Sequence, residues 1–133
     1  MYKIKVTPKR DKEPVFEGYI YLVDDTFAIY AIDLDIKGYR SQQEFLESFK
    51  VVQNFSFIPD TKMWVKSLQS FDFKAGVFMM KFNGKFTHVF SNYNFVSNFD
   101  KKTFGSEVVT FAEKSNKKEI SYWLENRLVP LTE

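Results

Sequence analysis

The sequence predicts a mainly β protein: an antiparallel curved sheet or half-barrel of six to eight strands with a C-terminal helix. Apolar and polar residues alternate along most of the chain, and a period of two is the period of a β-strand. Turn-forming residues separate these segments at short intervals, and only one segment near the C-terminus has the apolar spacing of a helix. Short connections favour pairing of successive strands, and a strongly twisted sheet of this size curls.

Three strands are predicted in the first part of the chain, at residues 2–8, 15–23 and 26–36. The first alternates apolar and basic side chains and ends at a proline, after which a charged segment forms the connection. The pair Asp24-Asp25 predicts a short hairpin turn between the second and third strands.

The middle of the chain predicts two further strands, at residues 46–57 and 62–73. Residues 41–48 form either one helical turn or the start of the earlier of these strands. Turn-forming residues at 59–61 connect the two strands, and residues 74–76, which include a glycine, end the second one.

A sixth strand begins at Val77 and has a strand-like pattern as far as Phe95, which exceeds the usual length of 3–10 residues. The Asn83-Gly84 pair inside it is typical of a tight hairpin turn, which would split the segment into two strands. The alternative is a bulge or bend within one long strand. Apolar residues occupy every second position both before and after Asn83-Gly84, without a shift in phase. This continuity favours one long strand over two.

A further strand is predicted at residues 106–112, and a helix follows it. Asn116 and Glu119 have the spacing of a capping box, so the helix is expected to begin there. Pro130 ends it. The apolar residues of the helix recur on one face: Ile120, Trp123, Leu124 and Leu128.

Phenylalanine is the most informative residue type, with 16 among 133 residues. The predicted strands place many of these rings on one concave face of the sheet. One helix of about three turns is too small to cover such a face, so the face is either a sealed core of a closed sheet or an open apolar groove. An open groove is typical of a lipid or acyl-chain site. The candidate ligand-binding residues are Phe49, Val51, Phe55, Phe57, Phe78, Met80, Phe82, Phe86 and Phe90.

Composition limits the chemistry. Cysteine is absent, histidine occurs once, and the five glycines are scattered singly, so we expect no metal, no phosphate-binding loop and no cofactor. Asp33 and Asp35 share a strand face, where a solvated surface is favoured over a calcium site or an acid–base pair. A catalytic role for His88 would need a partner that no motif supplies.

The 19 basic and 17 acidic residues are balanced, which argues against nucleic acid as a partner. No apolar run approaches the ~20 residues of a membrane-spanning helix. The chain starts at Met1 without a leader pattern, which predicts either a cytoplasmic protein or a piece of a longer exported one. The C-terminal residues favour the second, a single domain over residues 1–133 that is excised from a longer exported protein.

Several segments together resemble a known family. They are residues 2–9 (YKIKVTPK), 16–25 (FEGYIYLVDD) and 52–55 (VQNF), and the C-terminal pattern of Trp123, Arg127 and Pro-Leu-Thr at 130–132. They resemble the periplasmic middle region of a Bacteroidetes outer-membrane family of unknown function. In that family a carboxypeptidase-regulatory-like domain precedes this region and a C-terminal β-barrel follows it. The resemblance implies that residues 1–133 are a single domain excised from a larger outer-membrane protein. The domain would be non-enzymatic and lie on the periplasmic side of the outer membrane, with neighbouring domains of the same polypeptide as partners.

The order of strands and turns is also similar to that of the LolA/LolB-type lipoprotein carriers. That similarity implies an open half-barrel with an apolar interior that binds a lipid or acyl group, although this chain has one clear helix where the carriers have several. The favoured function is therefore binding of a lipid, an acyl group or a partner on the Phe-rich face, or support of the attached barrel. The alternative is a closed lipocalin-like barrel with a small apolar ligand.

Overall fold

The computed structural model describes residues 1–95, 98–100, 105–106, 111 and 113–129. The chain divides into two units, Met1–Asn92 and Tyr93–Glu133. The first unit is a single β-sheet with one short helix. In its described part, the second unit contains one helix of seven residues.

The sheet has six antiparallel strands, and each pairs with its neighbour in sequence, so β1 and β6 form the two edges. This confirms the prediction of a mainly β, antiparallel fold with a short C-terminal helix. The sheet is open, whereas the closed-barrel alternative would require β1 and β6 to pair. The strands are β1 (Tyr2–Val6), β2 (Glu17–Leu22), β3 (Ile29–Lys37), β4 (Leu46–Ile58), β5 (Met63–Val77) and β6 (Met80–Val89).

The turn between β5 and β6 lies later than predicted. Residues 74–76 continue β5, because each pairs with a residue of β6 in an unbroken ladder. The chain reverses at Phe78 and Met79, between the paired residues Val77 and Met80. Phe78 has a φ of 55°, the positive value that tight two-residue hairpin turns require. Gly76 therefore does not end β5, because it pairs with Lys81 in the regular hydrogen-bond ladder between β5 and β6.

Strand β6 passes through Asn83 and Gly84 without a break, as the single-strand interpretation predicts. The two residues pair with Lys74 and Phe73, so they belong to the ladder and not to a hairpin turn. The strand ends at Val89, and the predicted extension to residue 95 is wrong.

Two helical segments differ from their predicted bounds. Helix α1 (Gly38–Ser41) is one turn that begins directly after β3, earlier than the predicted residues 41–48. Helix α2 (Ile120–Asn126) begins four residues after the expected start, and its N-cap residue Glu119 makes no capping hydrogen bond with its side chain. The predicted stop at residue 130 lies outside the described residues, as does most of the strand predicted at 106–112.

The register separates the sheet into two chemically distinct faces, because directly paired residues point to the same side. We name them the apolar face and the polar face. The apolar face includes Ile4, Ile20, Ile32, Leu34, Ile36, Phe49, Val51, Phe71, Phe73, Phe82 and Phe86. The polar face includes Lys3, Lys5, Glu17, Asp33, Asp35, Lys50, Asp72, Lys74, Lys81 and Lys85.

The charged connection between β1 and β2 is anchored to helix α1 by Arg40, whose side chain is only 6% exposed. Its Nε donates to the backbone oxygen of Asp11 at 2.6 Å, and its Nη1 donates to Glu17 Oε2 at 2.8 Å. The Tyr39 hydroxyl donates to Asp11 Oδ1 at 2.7 Å. The hydrogen bond from Tyr39, together with the hydrogen bond from Arg40, lowers the pKa of the Asp11 carboxyl. The bond from Arg40 lowers the pKa of Glu17.

Candidate ligand-binding face

Eight of the nine predicted ligand-binding residues lie on the apolar side of the sheet. Seven follow from the strand alternation: Phe49, Val51, Phe55, Phe57, Met80, Phe82 and Phe86. Phe90 follows the end of β6, and its ring lies 5.5 Å from Nζ of Lys66, which is paired with Phe55. The ninth residue, Phe78, does not belong to this face, because it occupies the β5–β6 turn and its side chain is fully exposed.

Two aromatic residues outside the predicted set of ligand-binding residues lie at the centre of the face. Phe71 stacks on Phe49 at 5.7 Å between ring centroids, and Phe73 stacks on Phe86 at 6.0 Å. Gly84 makes the second arrangement possible, because a Cβ at this position would overlap the Phe73 ring. Their alternation with polar residues in β5 is the signal that could have identified them. We name Phe49, Phe71, Phe73, Phe82 and Phe86 the aromatic patch.

Much of this apolar side is accessible to solvent. Phe82 is 51% exposed and Phe86 is 58% exposed, whereas Phe49, Phe71 and Phe73 on β4 and β5 are half-buried. Among the hydrophobic side chains of the described residues, only Ile36 counts as buried. Contiguous exposed apolar surface is uncommon on soluble proteins and is typical of interaction sites.

A second aromatic group lies at the other end of β4 and β5. Trp64 contacts Phe57 at 5.5 Å and Tyr30 at 6.2 Å between ring centroids. Because Phe57 and Trp64 are directly paired, the two rings share a side of the sheet. The apolar face therefore has aromatic side chains at both ends of these strands.

A cluster of polar side chains separates the two aromatic groups, and we name it the polar cluster: Gln53, Lys66, Gln69 and His88. Gln53 pairs with Gln69, which pairs with His88 on the next strand. The Gln53 amide nitrogen and the Lys66 ammonium both donate to Gln69 Oε1, each at 2.7 Å. The His88 ring meets the Phe71 ring edge-on at 6.0 Å. Potential hydrogen-bond donors therefore lie next to the aromatic patch.

The sequence alternation could not reveal this cluster, because β5 contains an irregularity. Asn54 pairs with Leu68 while the next residue, Phe55, pairs with Lys66, so Ser67 is an extra residue in the ladder. Such a bulge shifts the side-chain alternation by one position. Lys66 and Gln69, three positions apart, consequently share a face that a regular strand would not give them.

Asp33 and Asp35 lie on the polar face, as the solvated-surface interpretation predicts. Asp33 Oδ1 lies 2.8 Å from Nζ of Lys50 on the neighbouring strand, and this hydrogen bond raises the pKa of Lys50. Among the described residues, no group of three or more acidic or histidine side chains is placed to hold a metal ion. Asp33 thus takes part in a cross-strand ion pair with Lys50.

Replacing Asp33 with asparagine is expected to change the free energy of unfolding by less than about 1 kcal/mol, because exposed ion pairs contribute little. Both side chains are more than 40% exposed. Urea unfolding of the two proteins with and without calcium measures the effect. A calcium-dependent rise in the midpoint that disappears in the variant would restore the calcium-site hypothesis.

His88 lies on the apolar side, whereas Asp72, the carboxylate of the neighbouring strand β5, lies on the polar face. Its direct cross-strand partner is Gln69. Asp72 pairs with Lys85 on the opposite side of the same two strands. An acid–base pair of His88 with a carboxylate of these strands would have to act across the sheet.

None of the helices in the described part of the chain combines the length and the apolar character needed to cross a membrane. The candidate site is a surface of an open antiparallel sheet, with two aromatic groups and a polar cluster between them. This arrangement defines the class: a β-sheet domain with an exposed apolar face.

The family follows from comparison with known proteins. Residues 1–93 match the model of a family of unknown function (DUF5686). The match covers 93 of the 133 residues, more than half of the chain, so the protein belongs to this family. The matched region ends at residue 93, one residue after the end of the sheet unit Met1–Asn92. No curated protein matches significantly. No solved structure matches significantly either.

Proposed function

We propose that this chain is a lipid-binding domain that holds an acyl chain against the apolar face and acts by binding, not by catalysis. The observation that carries the proposal is the exposure of the aromatic patch on a folded sheet. Phe82 and Phe86 on the edge strand expose more than half of their surface. Phe73 stacks on Phe86, and Phe71 pairs with Phe86 across the same two strands. An occupant that covers these rings removes apolar surface from water.

The expected driving force is the hydrophobic effect, about 25 cal/mol for each Å² of apolar surface removed from water. Covering one exposed Phe side chain contributes up to about 1.5–3 kcal/mol before the entropic cost of association. The extended strands suit a linear ligand, since the rings of the aromatic patch follow one another along β5 and β6. An acyl chain has the matching shape and no polar groups that would lose hydrogen bonds here.

The proposed location is the periplasmic side of the outer membrane, as part of a longer exported protein. Its support is the resemblance of residues 2–9, 16–25 and 52–55 to the periplasmic region of the Bacteroidetes outer-membrane family. An open sheet with an apolar side also agrees with the LolA/LolB-like pattern, whose carriers bind acyl groups.

Replacing Phe86 with glutamate is expected to weaken binding of a fluorescent acyl probe about tenfold or more. The substitution removes one ring and places a charge where the chain would lie, and 1.4 kcal/mol corresponds to a factor of ten. The matched control is Thr87→Glu, which places the same charge at the next position of the same strand on the polar face. We expect less than a twofold change for the control. Fluorescence titration measures both affinities, and circular dichroism checks the fold.

Equal affinities for the two variants would contradict the proposal, because binding would then not depend on the apolar face. Native mass spectrometry of the purified chain, before and after organic extraction, gives an independent check. A copurified mass that extraction removes is the expected result. A bare chain that also fails to bind the probe would instead favour a supporting role beside neighbouring domains.

A further inference from the structure

We infer that the tip of the β5–β6 hairpin inserts into the surface of a lipid bilayer and holds the sheet there. The inference goes beyond the proposed function, because insertion of the tip needs no acyl chain on the apolar face. We define the hairpin tip as four consecutive apolar residues: Val77, Phe78, Met79 and Met80.

The two turn residues of the hairpin tip are the most exposed large hydrophobic residues in the described part of the chain. Phe78 and Met79 are both fully exposed, so neither side chain packs on the sheet. Met80 is 60% exposed, and its cross-strand partner Val77 is also exposed. The fold therefore provides no apolar environment for these side chains, and they remain in water unless a partner supplies one.

The backbone of the turn disfavours the residue that it contains. Phe78 has a φ of 55°, whereas Met79 does not have a positive φ. A positive φ at only the first of two turn residues is the pattern of a type II′ turn, in which glycine is the usual residue. For a bulky side chain this conformation is a rare one. The aromatic ring of Phe78 thus serves neither the turn nor the core, which indicates contact with a partner.

The size of the hairpin tip favours a lipid surface over a protein as that partner. Stable protein interfaces bury about 800 Å² on each partner and involve about 20–30 residues a side. The hairpin tip has four residues and projects beyond the ladder that ends at Val77 and Met80. Binding to a bilayer instead increases with the apolar area that enters the boundary of the acyl region, and phenylalanine is typical of such segments.

Charged residues limit the depth of insertion. The uncharged residues 75–80 lie between Lys74 and Lys81. Nζ of Lys81 lies 3.8 Å from Glu47 Oε1, and this exposed pair has to stay in water. Two residues separate Lys81 from Met79, about 7 Å of strand, which agrees with the depth of about 5–10 Å that interfacial segments reach. Because Glu47 offsets Lys81, we expect insertion to need no anionic lipid.

The first test measures binding of the whole chain to phosphatidylcholine vesicles by flotation. Phe78→Gly combined with Met79→Ser removes the apolar side chains and supplies a pair that suits a type II′ turn. We expect this variant to fold at least as stably as the wild type, which circular dichroism checks, and to bind at least tenfold more weakly.

Phe27→Gly is the matched control for the flotation test. Phe27 is also an exposed aromatic residue with a positive φ, 54°, in the connection between two strands. It lies between β2 and β3, and the alternating strand directions put this connection at the opposite end of the sheet. The control should retain the binding of the wild type.

The second test locates the contact with a fluorescent label. The sequence contains no cysteine, so one introduced thiol is labelled uniquely. Met79→Cys, labelled with the polarity-sensitive dye NBD, is expected to show a rise and a blue shift of its emission when the same vesicles are added. Phe27→Cys with the same label should show neither change.

The outcomes separate this inference from the proposed function. No flotation of the wild type, or equal flotation of the double variant, overturns the inference, and a protein partner would then be the candidate for the hairpin tip. An equal loss of flotation in Phe86→Glu also overturns it, because the apolar face would be the contact. The expected double variant loses flotation and still binds the soluble acyl probe. Flotation of a wild type that fails to bind the probe contradicts the proposed function alone.

Discussion

Replacing Gly18 with alanine is expected to lower the free energy of unfolding by about 3 kcal/mol or more. Gly18 has a φ of 141°, a backbone conformation that is strained by about 1–3 kcal/mol for residues with a side chain. A Cβ at this position would also overlap the backbone oxygen of Asp33 on the neighbouring strand. Because a backbone atom cannot move aside without disturbing the β2–β3 ladder, the two costs add.

Gly76→Ala is the matched control for this prediction. Gly76 also lies in a strand, but an added Cβ would meet Glu47 Oε1 at 3.4 Å and the Met80 oxygen at 3.6 Å, which are ordinary contacts. The alanine also reduces the entropy of the unfolded chain, so the control is expected to be neutral or slightly stabilising. Urea unfolding followed by circular dichroism measures both. Similar midpoints for the two variants would show that β2 relaxes around Gly18 without cost.

Replacing Arg40 with methionine is expected to lower the thermal unfolding midpoint at pH 7 by about 10 °C. The methionine keeps the apolar part of the buried side chain and removes the charged hydrogen bonds to Glu17 and to the Asp11 backbone oxygen. The β1–β2 connection would lose its attachment to α1. Lys81→Met is the control, because the Lys81–Glu47 pair at 3.8 Å is exposed and contributes little.

The same substitution is expected to change the pH dependence of stability. Asp11 and Glu17 have lowered pKa values in the folded protein, so their contribution is present above the ordinary values of about 3.9 and 4.3. It is lost as the pH falls through the still lower folded-state values. The difference in midpoint between wild type and Arg40→Met should therefore be full at pH 6 and shrink below about pH 4. A difference that stays constant from pH 6 to pH 3 would contradict this account.

The sequence predicts the apolar face better than it predicts the ends of the strands. Period-two alternation is a property of each strand alone, and it correctly places Phe49, Val51, Phe82 and Phe86 on one side. The sequence predicts that β5 ends at residue 73, because the glycine in residues 74–76 suggests a turn, whereas the strand continues to Val77. The position of the turn depends on how far the hydrogen-bonded ladder between β5 and β6 extends. The sequence of one strand alone does not contain this information.

The polar cluster and the Arg40 attachment required the tertiary structure. The extra residue Ser67 shifts the alternation of β5, and only the pairing with β4 shows that Lys66 and Gln69 share the apolar side. Arg40 and Asp11 are separated by 29 positions, and no local pattern marks them as partners.

The sequence by itself determined that this chain forms an antiparallel sheet with one aromatic side, because local alternation specifies which side each residue takes. Only the tertiary structure decided that this side is exposed, that Phe71 and Phe73 lie at its centre, and that a lysine lies within it. The physical reason is that exposure, bulges and cross-strand contacts depend on which strands become neighbours, a property of the whole sheet and not of any one segment.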